Sequence, residues 1–203
     1  MVASLTTATD MVNLALARIG YKKRLGSLWD GSEAAKLALT IYGQTRDQLI
    51  REGEWEFAER ILIMTLLKTA PDGGYAVTPW STAYPALPWR FSYEYPEDCL
   101  KVRAIRKTPA FVTNYAPAYN IYSIDNDNSF TPPKRVILCN VQDAILTYAG
   151  RVTDPTNWDP DFTEALSAAL ARRLAPSLAG LDAAKMEMQD EQLEEQVAAS
   201  QRG

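Results

Sequence analysis

The hydrophobic period of this chain changes twice, and those changes constrain its fold more than any other feature. Up to Gly53 apolar residues recur at helical spacing. From Arg60 to Val152 they come in short runs separated by proline, glycine, Asn and Asp, and beyond Asp159 helical spacing returns. Helices, a strand-rich middle and helices again are what a sheet inserted between packed helices looks like. The expected class is therefore α+β: a helical bundle from the N- and C-terminal helices with an inserted antiparallel β-sheet domain. The expected boundaries are 1–55 for the first helices, 56–154 for the β-rich insertion and 155–203 for the helices that complete the bundle.

The local signals follow the same division. "TATDMVNLALARIG" predicts a first helix capped by Thr9, with Val12, Ala15, Leu16 and Ile19 on one stripe and Gly20 as its stop. "SEAAKLALTIYGQTRDQLIREG" predicts a second, capped by Gly31 or Ser32 and ended by Gly53, with Lys36, Arg46 and Asp47 on a solvated face. Strands are expected in "RILIMTLL", "WRFSYEY", "LKVRAIRK", "AYNIYSI", "KRVILCN" and "AILTYAG". "DPDFTEALSAALARRLA" predicts a third helix starting near Pro160 and ending at Pro176, and a last helix is expected from Ser177 through the acidic C-terminal stretch.

Composition narrows the chemistry. There is no histidine, which removes the commonest general base, the Ser-His-Asp and Cys-His arrangements and the commonest transition-metal ligand. The two cysteines, Cys99 and Cys139, have no CxxC spacing and read as reduced structural thiols. No cofactor is expected. No apolar run approaches a membrane span, and the start "MVASLTTATD" lacks the pattern of a leader, so the chain is expected to stay where it is made, away from membranes. The net charge of −4 arises in the last quarter, where residues 151–203 carry ten acids against five bases, a balance that does not favour tight nucleic-acid binding.

Four constellations carry candidate roles. "REGEWEFAER" sets Glu52, Glu54, Glu56 and Glu59 around Gly53, Trp55 and Phe57. Gly53 breaks the helical geometry that would align the acids, so Gly53, Trp55 and Phe57 read as a structural joint. "DNDNSF" resembles the opening of a calcium loop through Asp125, Asp127 and Ser129, but Phe130 stands where glycine is needed and Val136 where a bidentate glutamate belongs, so a polar turn is expected. "KVRAIRK" would place Lys101, Arg103 and Lys107 on one side of a strand with Ile105 among them, a weak DNA-facing patch. Near the C-terminus, Lys185, Glu187, Asp190, Glu191, Glu194 and Glu195 form an acidic stretch whose charge opposes a helix C-terminal dipole and suits a basic partner.

The order "NLALARIG", "SLWDGSEAAKLA", "REGEWEFAE" running into an apolar strand, "YEYPEDCLKVRAI" and "NWDPDFTEALSAALARRLA" resembles the head-to-tail adaptor proteins of tailed bacteriophages, typified by tail tubular protein A of short-tailed phages. The resemblance runs from Asn13 to about Ala175 and lies in the order of the pieces. It implies a non-enzymatic virion protein at the head-tail junction, assembled as a dodecameric ring between the portal protein and the tail nozzle or tube protein, with DNA passing transiently through its lumen. It also implies the bundle with an inserted sheet. The family's glycine-tryptophan-x-phenylalanine element differs here, because Glu54 separates Gly53 from Trp55. On this reading the acidic stretch docks on the portal.

Two other functions stand beside it. A carboxylate-dependent, glycan-active hydrolase would use Glu52, Glu54, Glu56 and Glu59 with aromatic walls from Trp80 and Trp89. A nucleic-acid-binding module would use Lys101, Arg103 and Lys107.

Overall fold

The computed structural model describes residues 7–70, 85, 88–107 and 121–178. The described residues are mixed α+β, with three α-helices and two antiparallel sheets of three and four strands. They form two compact units: one holds the residues up to Ala58 together with those from Arg151 onward, and the other spans Glu59–Gly150.

The first unit contains α1 (Ala8–Arg18), α2 (Glu33–Glu52) and α3 (Pro160–Leu178). The cap of α1 is Thr7 rather than Thr9. Its hydroxyl accepts from the Asp10 N–H at 3.1 Å and donates to the Asp10 carboxylate at 2.6 Å, a reciprocal cap that needs the acid three residues on. Gly20, at φ 73°, takes the left-handed turn after the helix that a side chain would resist. Ser32 caps α2 by accepting from the Ala35 N–H at 3.3 Å.

Both helices lie against α3. The contact face of α2 is built from Ala34, Ala35 and Ala38, then Tyr42, Thr45 and Ile50; that of α3 from Phe162, Leu166, Leu170 and Leu174 with alanines between them. Small residues let the helix axes approach closely, which the alanine-rich sequence anticipates.

Two expectations about these helices need correction. Arg46 and Asp47 are not on a solvated face: they form a half-buried cluster in which Asp47 accepts from Arg46 at 2.7 Å and from Arg151 at 2.7 Å. Pro176 does not end α3, which continues to Leu178. A proline removes a single helix hydrogen bond, and here the buried Leu174 and Ala175 hold the surrounding turn in place.

The second unit contains β1 (Glu59–Ile63), β2 (Leu66–Thr69), β3 (Phe91–Glu94), β4 (Cys99–Lys107), β5 (Tyr122–Asp127), β6 (Lys134–Cys139) and β7 (Ala144–Gly150). One sheet runs β1-β7-β4 and the other β2-β3-β6-β5, where one sheet had been expected. Their inner faces share a core of Phe91, Tyr93, Val102, Ile105, Ile137 and Leu146 with neighbouring apolar residues.

The chain crosses from the first sheet to the second at Met64 and Thr65. The Met64 N–H donates to the Ala144 carbonyl at 2.9 Å, and the Thr65 carbonyl accepts from the Glu94 N–H at 2.9 Å. Met64 enters the core as the strand changes sheets, which is how the corner of a sandwich is turned.

Candidate assembly surface

The surface of the second unit that most departs from an ordinary soluble protein is β1. It is an edge strand, hydrogen-bonded to β7 in register from Glu59↔Ala149 to Ile63↔Ile145. All five of its residues are exposed, so the period-2 alternation that sequence reasoning expects of a half-buried strand is absent. Ile61 is 71% exposed, Leu62 41% and Ile63 70%, and Leu66 just past the corner is 49% exposed. These four large aliphatic side chains lie within six residues on sheet edges, the arrangement natural proteins avoid unless another chain covers it. The apolar run was legible in "RILIMTLL", but its exposure follows from strand order, which the run does not encode.

The opposite edge of the four-stranded sheet is β5. Ile121, just before it, is 76% exposed and Ile124 within it 39%. At the far end of β5 the calcium-like turn is filled by a protein cation. Lys68 Nζ donates to Asp127 at 2.5 Å and to the Ser129 hydroxyl, and lies 4.9 Å from the centre of the Phe130 ring. Burial pushes the Asp127 carboxyl up, but the Lys68 ammonium and the Ser129 hydroxyl and N–H outweigh it and hold the acid below its ordinary value. The turn therefore closes on Lys68. Among the described residues no cluster of three or more acidic or cysteine ligands is placed to hold a metal.

The proposed DNA-facing patch is not laid out as its spacing implied. β4 carries irregularities between Cys99 and Lys101 and between Val102 and Ala104, and each shifts the alternation of faces. Ile105 is fully buried, while Lys101 and Lys107 are exposed. Arg103 donates to Glu59 at 3.0 Å and is drawn into the packing of β1 and β4 around the central β7. The three cations therefore do not form one patch with Ile105.

The glutamates of "REGEWEFAER" are dispersed. Glu52, on the last turn of α2, accepts from Gln48 at 2.7 Å; Glu54 and Glu56 are exposed in the first unit; Glu59 opens β1. Gly53, Trp55 and Phe57 lie together in the first unit. The Trp55 indole N–H donates to the Leu49 carbonyl at 2.8 Å, capping one of the last carbonyls of α2. Trp55, Phe57 and Trp158 each stand edge-on or tilted to Phe162, with ring centres 5.0–5.1 Å from it. Gly53 is required by close approach, since a Cβ there would lie 2.2 Å from the Trp55 Nε1.

Cys99 and Cys139 are buried thiols whose pKa values are raised by burial. No described helix is long and apolar enough to cross a membrane. Trp80 and the acidic stretch with Lys185, Glu187, Asp190, Glu191, Glu194 and Glu195 lie outside the described residues. No protein-family model and no curated protein sequence matches the chain.

Proposed function

We propose that this protein is a structural head-to-tail adaptor of a tailed bacteriophage virion. It joins copies of itself into a closed, dodecameric ring between the portal protein and the tail nozzle or tube protein, with a channel for DNA. The resemblance in the order of segments given above is what suggests the family. The observation that carries the assembly role is the exposed aliphatic edge of Ile61, Leu62, Ile63 and Leu66.

Burial of apolar surface gives about 25 cal/mol per Å² removed from water, so an edge of this kind is a standing drive toward association. Ring closure needs heterologous contacts, in which one surface of a subunit meets a different surface of its neighbour. β1 supplies one such surface, and the Ile121 and Ile124 edge of β5 supplies an unlike one. In this reading the terminal helices form a bundle, and the sheets are inserted in the chain between them. A net charge of −4 leaves DNA free to pass, because little counterion release is available to hold it. The acidic C-terminal stretch is assigned to a basic partner surface.

The test of the surface is the double variant Ile61→Lys with Ile63→Lys, mixed with the portal protein encoded in the same genome. Retained folding by circular dichroism with loss of ring formation is the expected outcome. A ring that forms undiminished would remove β1 from the interface.

A further inference from the structure

Immediately after α1 the chain reads Tyr21-Lys22-Lys23-Arg24, three consecutive cations on an exposed loop. With Leu14 and Ala17 of α1 these four residues line an open hollow of about 360 Å³. Leu16, Asn13 and Asp10 complete its lining, so apolar side chains and three cations meet there with one acid. Two acids are engaged locally: Asp10, which lines the hollow, accepts from the Thr7 hydroxyl that caps α1 and from Arg24 at 3.2 Å, and Asp30 accepts from the Ser32 N–H at 2.9 Å. The Asp30 carboxyl, held below its ordinary value chiefly by the Ser32 hydroxyl and N–H, also feels the Lys23 ammonium, and the Arg24 side chain is 76% exposed despite its pairing.

Further along the same loop Trp29 is 83% exposed, the most exposed of the large apolar side chains described. It is not a fraying residue. Its N–H donates to the Ser27 hydroxyl at 3.1 Å, and the loop around it is anchored by the buried Leu25 and Leu28. Leu25 exchanges both backbone hydrogen bonds with the Asn13 amide, at 2.8 and 3.0 Å. A tryptophan presented on the same tied loop that carries three consecutive cations is the composition of a binding hot spot for an acidic, partly apolar peptide.

This chain carries such a peptide. Residues 179–203 hold Asp182, Glu187, Asp190, Glu191, Glu194 and Glu195 against Lys185 and Arg202, with Met186, Leu193 and Val197 among them. The segment departs from Leu178 at the end of α3. Arg18 at the end of α1 pairs with Glu164 near the start of α3, so the two helices run antiparallel and Leu178 lies toward the α1 end where Arg24 meets Asp10. Extended, 25 residues reach about 80 Å, ample for a neighbouring subunit.

We propose that the loop of Lys22, Lys23, Arg24 and Trp29 receives the acidic C-terminal segment of a second copy of this chain. The inference rests on the ring reading, and it names the basic partner surface left open there. Every copy then gives one segment and receives another, which is a heterologous contact that closes a ring. The assignment moves the acidic segment from the portal to a neighbouring adaptor subunit.

The test uses the full chain as two partners with one added cysteine each, Arg24→Cys and Glu191→Cys, mixed with and without the portal ring under mild oxidation. Cys99 and Cys139 are buried and serve as the background. The expected result is a disulfide-linked pair of the two variants about tenfold above that from a control pairing Asp125→Cys with Glu191→Cys, because docking raises the local thiol concentration. Adding Lys22→Glu and Lys23→Glu should abolish the pair, and adding Asp190→Lys and Glu194→Lys to the partner should restore it.

A pair at control level would overturn the proposal, as would a double variant with both Arg24→Cys and Glu191→Cys that cross-links only within one chain. Loss of portal attachment on deleting 179–203, with the pair at control level, would return the segment to the portal. Retention on single-stranded DNA that Lys22→Glu and Lys23→Glu abolish, again with no pair, would assign the loop to nucleic acid. A ring on the portal without the cross-link would reject this contact and leave the adaptor reading standing, whereas the cross-link without any portal attachment would do the reverse.

Discussion

Lys68 is the residue whose environment most directly answers a question the sequence raises. The pattern of Asp125, Asp127 and Ser129 invites a cation, and the protein provides its own by reaching from β2 to the turn after β5. The Asp127 carboxyl is held below its ordinary value, so its contribution is present above the unfolded value near 4 and is lost as pH falls through the lower, folded one. Lys68→Met should therefore lower unfolding stability at pH 7 by about 0.5–1.5 kcal/mol, because the half-buried Asp127 carboxylate loses its cation but remains within reach of water. In urea titrations the gap between variant and parent should narrow toward pH 2 to 3; an unchanged gap would mean that Lys68 acts through its stem alone. A fully buried polar group makes the opposite case. The Tyr42 hydroxyl is buried with no hydrogen-bond partner, and burial pushes its pKa up to about 12. Tyr42→Phe should leave stability unchanged or raise it by about 1 kcal/mol, and a clear loss in a melt would show that the hydroxyl has a partner after all.

The elements show where sequence reasoning succeeds and where it stops. Some helix ends are legible because they depend on local chemistry: Ser32, Gly20 and Gly53 act within a turn of where they stand, whereas α1 is capped by Thr7 rather than Thr9 and α3 runs past Pro176. Strand positions were legible for the same reason, from runs such as "KRVILCN" and "AILTYAG". Pairing was not. That β7 lies between β1 and β4 is a long-range outcome, and it decides that β7 is buried while β1 is exposed on every residue. The irregularities in β4 likewise invert faces without a sequence mark, so Ile105 is in the core and Lys101 and Lys107 outside it. Gly43 within α2 and Gly53 just past its end give a paired prediction. Gly43 has open space where a Cβ would stand, so Gly43→Ala should stabilise by about 0.5–1 kcal/mol. At Gly53 the same change drives a methyl into the Trp55 indole and should cost about 1–3 kcal/mol in chemical denaturation. Equal effects at the two sites would contradict the account of Gly53 as the position that lets Trp55 fold back on α2.

At the scale of the whole molecule, the α+β class was legible from the double change of period, because helices and strands impose different spacings on any core they bury. The candidate surface was only half legible: the apolar residues of β1 are plain in the sequence, and nothing there says they face outward. Neither cysteine bears on function in this account. Both thiols are buried with raised pKa values, so they should react slowly with a thiol reagent at pH 8 until the protein is unfolded, and fast reaction in the native state would contradict their placement. The central claim is assembly on a portal. Electron microscopy of the purified chain mixed with the portal protein of the same genome tests it most directly. An added ring on one face of the portal, with closed symmetry, is the predicted result; a bare portal in a mixture where both proteins are folded would contradict the adaptor function.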